Sequence, residues 1–200
     1  HNIRGENAKR DEHFVKNLCN NLGVECIIKN VHAVDYAKEN KLTLEQSARI
    51  LRYNAFKEVM LEKGGTKLAV AHNSDDQAET ILMHLFRGTG IDGLIGMTFK
   101  NADIIRPLLN VSRQEIENYN SKQKISFIQD ETNNDTKYVR NHIRHVILPK
   151  IEEVYPAVKH NLCSMGEKLL EIREFINFNL NYDLITAEKS GEVILKNTEK

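Results

Sequence analysis

The chain has 200 residues, 40% hydrophobic and 28% charged, with 28 Lys+Arg balanced by 28 Asp+Glu. That apolar content at zero net charge excludes wholesale disorder and any global pull toward a polyanion, and no run reaches the roughly 18 apolar residues that span a bilayer. Three cysteines, Cys19, Cys26 and Cys163, are too scattered for a disulfide framework or a CxxC zinc site and read as reduced thiols of a cytoplasmic protein.

Residues 6–22 predict an amphipathic helix, with Phe14, Leu18 and Leu22 at i, i+4 and i+8 and Gly23 as its stop. Residues 24–32 read as a short strand. Thr43 opens a long helix with Gln46 three residues on, a capping box, and Leu44, Ala48, Leu51, Ala55 and Val59 form its inner stripe before Gly64-Gly65. KLAVAH (67–72) is a continuous apolar run of strand length, as a buried parallel strand requires. Ser74 and Gln77 are the expected cap of a helix over 75–87. Short strands are expected at 103–106 and 125–129, with a helix capped by Ser112 and Glu115 between them, a helix over 157–182, and a strand start at GEVILK. This alternation predicts an α/β fold with a parallel sheet. Pro149 to Pro156 is the expected boundary between a domain at 1–150 and a helical segment at 151–200.

The segment Ala71 to Gly90 concentrates the chemistry. The carboxyl end of a parallel strand is where open α/β sheets bind ligands, and the following helix N-terminus attracts anions. Asp75, Asp76 and Glu79 cluster in the first turn, beside a core face of Ala78, Ile81, Leu82, Leu85 and Phe86. Three carboxylates there suit a metal, an ammonium group or a general base, or simply complement the helix macrodipole. His72 is a ligand or a satisfied polar residue at a strand end. Gly88 to Gly93 matches G-x-G-x-x-G but follows a helix instead of opening one, so a C-cap at Gly88 and a tight glycine loop explain it better. Residues 136–150 hold Lys137, Arg140, Arg144 and Lys150 and no acid. Arg140 and Arg144 share a helix face with Asn141 beside them, while Val139, Ile143 and Val146 turn inward. The pattern suits a phosphate backbone or is a solvated basic face.

Together these segments resemble the tRNA(Ile)-lysidine synthase family of the PP-loop ATP pyrophosphatases. The resemblance rests on HNIR (1–4), LEQSARILRYNAF (44–56), AHNSDDQAETILMHLFRGTGIDGLIGM (71–97), IRPLLNVSRQEIENY (105–119) and DETNNDTKYVRNHIRHVILP (130–149). It spans residues 1 to about 150, with 71–97 and 130–149 the specific blocks. It implies a Rossmann-like adenine nucleotide alpha-hydrolase-type domain, followed by the start of a helical second domain.

The implied activity is a ligase reaction. ATP adenylates C2 of the wobble cytidine of tRNA(Ile) with a CAU anticodon, and free L-lysine displaces AMP to form lysidine. ATP and Mg²⁺ are the implied cofactors. His72, Arg49 and Arg52 would lie beside ATP. Asp76 and Glu79 would act in catalysis on the lysine ammonium group or on Mg²⁺, with no metal ligand assigned. Arg140, Asn141 and Arg144 would grip the tRNA, positioning it without reading its sequence. A flipped cytidine is needed for attack at C2. The family's S-G-G-x-D-S loop, whose backbone N–H groups cradle pyrophosphate, does not occur in these 200 residues. The family places it ahead of the position matched by His1. These residues alone are therefore expected to lack synthetase activity, and the sheet to leave an edge exposed or recruit another chain, such as a second copy in a homodimer. The alternatives are another PP-loop enzyme, such as a tRNA thiolase, and a non-catalytic RNA-binding module.

Overall fold

A computed structural model describes residues 6–128, 136 and 138–179, with the backbone of 185–189 and 192–195. HNIR, the 130–135 part of the last block, and the end of the helix expected to reach 182 lie outside the described residues. The chain divides into two compact units. One takes in the chain up to Val70 with Lys100–Ile105 and the segment from Ser126. The other takes in Ala71–Phe99, Arg106–Ile125 and the described residues from 136 onward.

The first unit holds α1 (Glu6–Leu22), α2 (Ala33–Glu39) and α3 (Leu44–Glu62). Gly23 follows α1 at φ +65. There the Gly23 N–H donates to Asn20 O at 3.2 Å and the Val24 N–H to Cys19 O at 2.9 Å, a Schellman reversal that needs a left-handed residue. No residue of α1 is buried. The Thr43–Gln46 capping box forms. Ala48 lies inside, but Leu44, at the head of the expected stripe, is exposed. The small core pairs α2 with α3 through Ala33, Ala48 and Ser47, whose Oγ donates to Ala33 O at 2.6 Å.

The sheet of this unit is small and mixed. β1 (Leu68–Ala69) pairs in parallel with β3 (Ile104–Ile105), which pairs antiparallel with β2 (Lys100–Asn101), in the order β1-β3-β2. The parallel pair was expected, but the antiparallel hairpin was not. β1 is two residues long, and its burial alternates instead of being continuous, because successive side chains point to opposite faces of the sheet and only the Leu68 side is partly covered. Residues 24–32 form no strand and 125–128 form none either, among the described residues. A strand exists only where its backbone groups meet a partner ladder, and apolar composition alone does not supply one.

The second unit holds α4 (Ser74–Arg87), α5 (Ile91–Ile95), α6 (Arg113–Lys122), α7 (Val139–His142), α8 (Leu148–Val154), α9 (Val158–Asn179) and the antiparallel pair β4 (Ile185–Lys189) and β5 (Glu192–Leu195). The Ser112–Glu115 box caps α6 as expected. Ala78, Ile81 and Leu82 of α4 are buried, but Leu85 and Phe86 of the expected core face are exposed. Leu82, Ile143 and Leu148 form a core cluster flanked by Met83, Ile147, Val158 and Leu162. α9 crosses α4 and α5 at Gly166, where an added Cβ would sit 3.0 Å from Ile95 O and 3.2 Å from Ile81 Cδ1. This packing runs across the Pro149–Pro156 stretch. Between α7 and α8 lies one π-helical turn, Ile143–Ile147, in which the Leu148 N–H donates to Ile143 O. Pro149 explains it: the proline has no N–H for the carbonyl four residues back, and its ring would clash there in an α-helix. Among the described residues no helix is long and apolar enough to cross a membrane.

Candidate functional site

α4 begins one residue earlier than expected, and its cap is Asn73, not Ser74. The Asn73 side chain accepts from the Asp76 N–H at 3.0 Å, and Asp76 Oδ2 accepts from the Asn73 N–H at 3.1 Å. This box turns Asp76 and Glu79 toward the helix that carries Arg140 and Arg144. Asp76 Oδ1 accepts from Arg140 Nη2 at 3.2 Å and from Arg144 Nη2 at 3.1 Å. Glu79 Oε2 accepts from Arg140 Nε at 2.8 Å and Arg144 Nη2 at 2.9 Å, and Glu79 Oε1 from Arg144 Nε. Glu79 is 1% exposed and Asp76 18%, against 28% for Arg140 and 23% for Arg144. Burial works to lower the Arg144 guanidinium, but the Glu79 and Asp76 carboxylates more than reverse this and hold it above its ordinary value.

An acidic site for the amine and a basic site for RNA were the expectation. The structure merges them into one quartet of two carboxylates and two guanidiniums. The pairing also bears on Mg²⁺. Two arginines already balance the two carboxylates, and the described residues contain no group of three His, Cys, Asp or Glu placed to hold a metal. The pair as arranged does not fit a divalent cation.

Asp75 belongs to a second network. Its Oδ2 accepts from the Arg113 N–H at 2.8 Å and its Oδ1 from Lys159 Nζ at 3.1 Å, while Lys159 also reaches Glu152 at 3.0 Å. Burial would raise the Asp75 carboxyl, but the Arg113 N–H and the Lys159 ammonium outweigh it and hold it below the usual range. Lys159 is raised although burial opposes that, through Glu152 and Asp75. The Ser74 N–H donates to Val111 O at 3.0 Å, so the loop before α6 is tied to the start of α4.

Against this geometry the comparisons are decisive for family. The PP-loop domain model matches residues 1–151. This chain belongs to the PP-loop family. The PP-loop chain is 43% identical over 196 residues to the tRNA(Ile)-lysidine synthase of Thermosipho africanus, covering 98% of itself and 45% of that protein. It is 41% identical over 175 residues to the synthase of Bacteroides thetaiotaomicron, covering 88% and 41%, and 37% identical over 180 residues to that of Chlorobaculum tepidum, covering 90% and 54%. It thus spans about half the length of these relatives or less. Among solved structures, the U34-tRNA thiolase NcsA of Methanococcus maripaludis, described with a [4Fe-4S] cluster, matches at a TM-score of 0.64 and 18% identity, covering 84% of this chain and 59% of that one. That likeness is one of fold, the adenine nucleotide alpha-hydrolase-like arrangement.

The remaining expected PP-loop site residues are placed as follows. His72 is half-buried, directly before the Asn73 cap, and Asn141 is half-buried on α7. Arg49 and Arg52 are exposed on α3 in the first unit, with the Arg49 guanidinium 5.0 Å from the Tyr53 ring centroid. Gln77 was read as half of a cap and does something else. Its Nε2 donates to Ile95 O at 2.8 Å and Met97 O at 3.0 Å, and its Oε1 accepts from the Met97 N–H at 2.7 Å. It pins the glycine loop, where Gly96 has φ +70 and its missing Cβ would lie 2.7 Å from Gln77 Oε1. His84 Nδ1 meets Gly93 O at 2.8 Å in the same loop. The one signal for Gln77 in the sequence is that it stands four residues before Ile81 and so shares that side of α4.

Proposed function

We propose that the chain is the PP-loop catalytic portion of a cytoplasmic tRNA(Ile)-lysidine synthase. The observation that carries the reading is the Asp76–Glu79–Arg140–Arg144 quartet, built from the two sequence blocks that most specifically resemble that family. The 43% identity to a named synthase supports it. ATP is a substrate: the oxygen on C2 of the wobble cytidine of tRNA(Ile) attacks the α-phosphorus and diphosphate leaves. The amine of free L-lysine then adds at C2 and AMP departs with the oxygen.

In this reading the carboxylates divide the work. Asp76, the more exposed, receives the lysine ammonium group, since a carboxylate has about four acceptor sites. Glu79 is sealed from solvent and acts as a positioning residue that fixes both guanidiniums. Arg140 and Arg144, with Asn141, then present their remaining N–H groups to RNA phosphate or to the adenylated base. His72, Arg49 and Arg52 serve the nucleotide. Magnesium would arrive on the ATP phosphates, as it commonly does. The expected homodimer finds no support in the comparisons and is not proposed.

Two observations disfavour the other readings. In an iron–sulfur thiolase the cysteines would serve as thiolates, but burial pushes the Cys163 thiol up to about 11. In a plain RNA-binding module the basic helix would face solvent, but Arg140 and Arg144 are half-buried against two carboxylates for which such a module has no use. The test uses the protein at its natural full length, with tRNA(Ile), ATP and radiolabelled lysine. Asp76→Asn should raise KM for lysine at least tenfold while leaving lysine-independent adenylation of the tRNA nearly intact. Unchanged lysine KM in that variant removes Asp76 from the amine site, and wild-type protein that transfers sulfur but no lysine overturns the assignment.

A further inference from the structure

Asp76 stands in the quartet with its acceptor sites largely taken. Its Oδ2 is committed to the helix cap, accepting from the Asn73 N–H at 3.1 Å. Its Oδ1 accepts from both Nη2 groups, Arg140 at 3.2 Å and Arg144 at 3.1 Å. A carboxylate has about four acceptor sites, and an ammonium group brings three donors of its own. The cap and the two arginines therefore leave little room for an amine. Charge points the same way. Two guanidiniums already balance two carboxylates. An ammonium entering this part-buried cluster makes it positive, where salt screens the repulsion poorly.

The two arginines are not held equally at both carboxylates. Arg140 Nε lies 2.8 Å from Glu79 Oε2, and Arg144 Nε is bonded to Glu79 Oε1. The contacts to Asp76 are longer and divided. Arg140 Nη2 also reaches the Asp76 backbone O at 3.3 Å, and Arg144 Nη2 also reaches Glu79 Oε2 at 2.9 Å. Glu79 is thus the anchor and Asp76 the releasable partner. Solvent access agrees: Glu79 is sealed, while both guanidiniums keep an outer surface that an anion can reach.

We propose that Arg140 and Arg144 stand in for the substrate amine on Asp76 until a phosphate group draws their Nη2 groups away, so that phosphate and lysine bind cooperatively at this one site. The inference rests on the reading of Asp76 as the receptor of the lysine ammonium group. Each guanidinium pivots on its Nε bond to Glu79, and its Nη2 donors pass from Asp76 Oδ1 to phosphate oxygens, where charge-assisted bonds form. Oδ1 is then open to the ammonium. The charges still balance, with two guanidiniums and one ammonium against two carboxylates and one phosphodiester. Linkage makes the effect reciprocal: lysine tightens the phosphate by the factor by which phosphate tightens lysine. The phosphate belongs to the tRNA backbone or to the adenylate, for which AMP is the soluble probe.

The test is equilibrium dialysis of radiolabelled L-lysine against the protein at its natural full length, without ATP, in three arms: no anion, tRNA(Ile), and AMP. The lysine Kd should tighten by about fivefold or more in at least one anion arm, and the arm that responds names the source of the phosphate. Arg140→Gln removes one competitor for Asp76. It should lower the anion-free lysine Kd by about threefold or more and shrink the response to anion, whereas a direct contact between lysine and RNA would leave the anion-free Kd unchanged. A smaller change for wild type in both arms overturns the proposal, as does an Arg140→Gln protein that folds and binds lysine no more tightly than wild type. Asp76→Asn separates the two levels. If it binds lysine as wild type does, the amine reading fails and the proposal with it. If it loses lysine while the wild type ignores both anions, only the stand-in role of the arginines fails.

Discussion

Arg144 closes on Glu79 through two nitrogens, Nε on one carboxylate oxygen and Nη2 on the other at 2.9 Å. This side-on fork adds geometric specificity to charge, and it does so at a carboxylate that is 1% exposed. Glu79→Ala leaves two half-buried guanidiniums without their main partner. It should cost roughly 2–4 kcal/mol, somewhat below the range for a fully buried pair because the arginines keep some solvent. Arg144→Lys keeps the charge and loses the fork, and should cost less. Urea titrations of the two single variants and the double variant give the coupling directly. A coupling near zero would show that the pair is ornamental to stability.

Acid should attack the other network. The Asp75 carboxyl is depressed in the folded chain because the Arg113 N–H and Lys159 outweigh burial. A depressed carboxyl contributes stability that is full above its unfolded value of about 3.9 and is lost as pH falls through the folded value. Asp75→Asn should therefore lower stability at neutral pH and flatten the fall below pH ~4. Lys159 carries the opposite sign. It is raised, so its contribution is full below its unfolded value of about 10.4 and disappears at higher pH. Stability curves of Asp75→Asn and Lys159→Met across both limbs check the two signs, and parallel curves for all three proteins would refute them.

Gly96 and Gln77 should fail together. A Cβ at Gly96 combines φ +70 with approaches of 2.7 Å to Gln77 Oε1 and 2.9 Å to Ile81 Cγ1. The glutamine has no room to yield, since three hydrogen bonds hold it. Gly96→Ala should destabilise by roughly 2–4 kcal/mol, from backbone strain and overpacking. Gln77→Leu should cost about as much, by orphaning the groups at Ile95 and Met97. Thermal melts are sufficient, and a Gly96→Ala protein that melts within a degree of wild type would contradict the geometry.

Two helix ends offer the reverse experiment. Lys41 and Lys124 sit at φ +53 and +54. At each the following N–H returns to the helix, Leu42 to Ala37 O at 3.0 Å and Ile125 to Asn120 O at 2.8 Å. Glycine occupies the equivalent positions after α1 and α3 without strain. Lys41→Gly and Lys124→Gly should each raise stability by up to about 1 kcal/mol. Gly64→Ala, where nothing lies within 4 Å of the added Cβ, should lower it by a similar amount through conformation alone. Chemical denaturation resolves both directions.

The helices were legible because their signals are local. Thr43–Gln46 and Ser112–Glu115 carry their capping chemistry within four residues, and Gly23 and Gly88 stop α1 and α4 where expected. The strands were legible only in part, at 67–72, 103–106 and GEVILK, because a ladder belongs to two segments at once. Residues 24–32 are apolar enough for a strand and form none among the described residues, while Lys100–Asn101, polar and unremarkable, pairs with Ile104–Ile105 across a two-residue loop that holds Ala102 at φ +51. For the site, every member of the quartet was legible as a residue. What was hidden was that Asp76 and Glu79, three apart, face Arg140 and Arg144, four apart, from more than sixty positions away. Charge balance summed over the whole chain carries no information about which charges meet.

Pro149 has a consequence that reaches beyond its own turn. By widening the helix over Ile143–Ile147 it adds one residue to a single revolution, and each residue is worth about 100° of rotation. Everything ahead of that turn, Arg140 included, is thereby dialled to a different azimuth from α8. Deleting Val146 or Ile147, both uncharged, would restore even winding and swing Arg140 about 100° off Glu79, with no charge removed. The phase of one helix, set by a side chain that touches no substrate, thus decides whether two arginines and two carboxylates read as a quartet or as two unrelated patches.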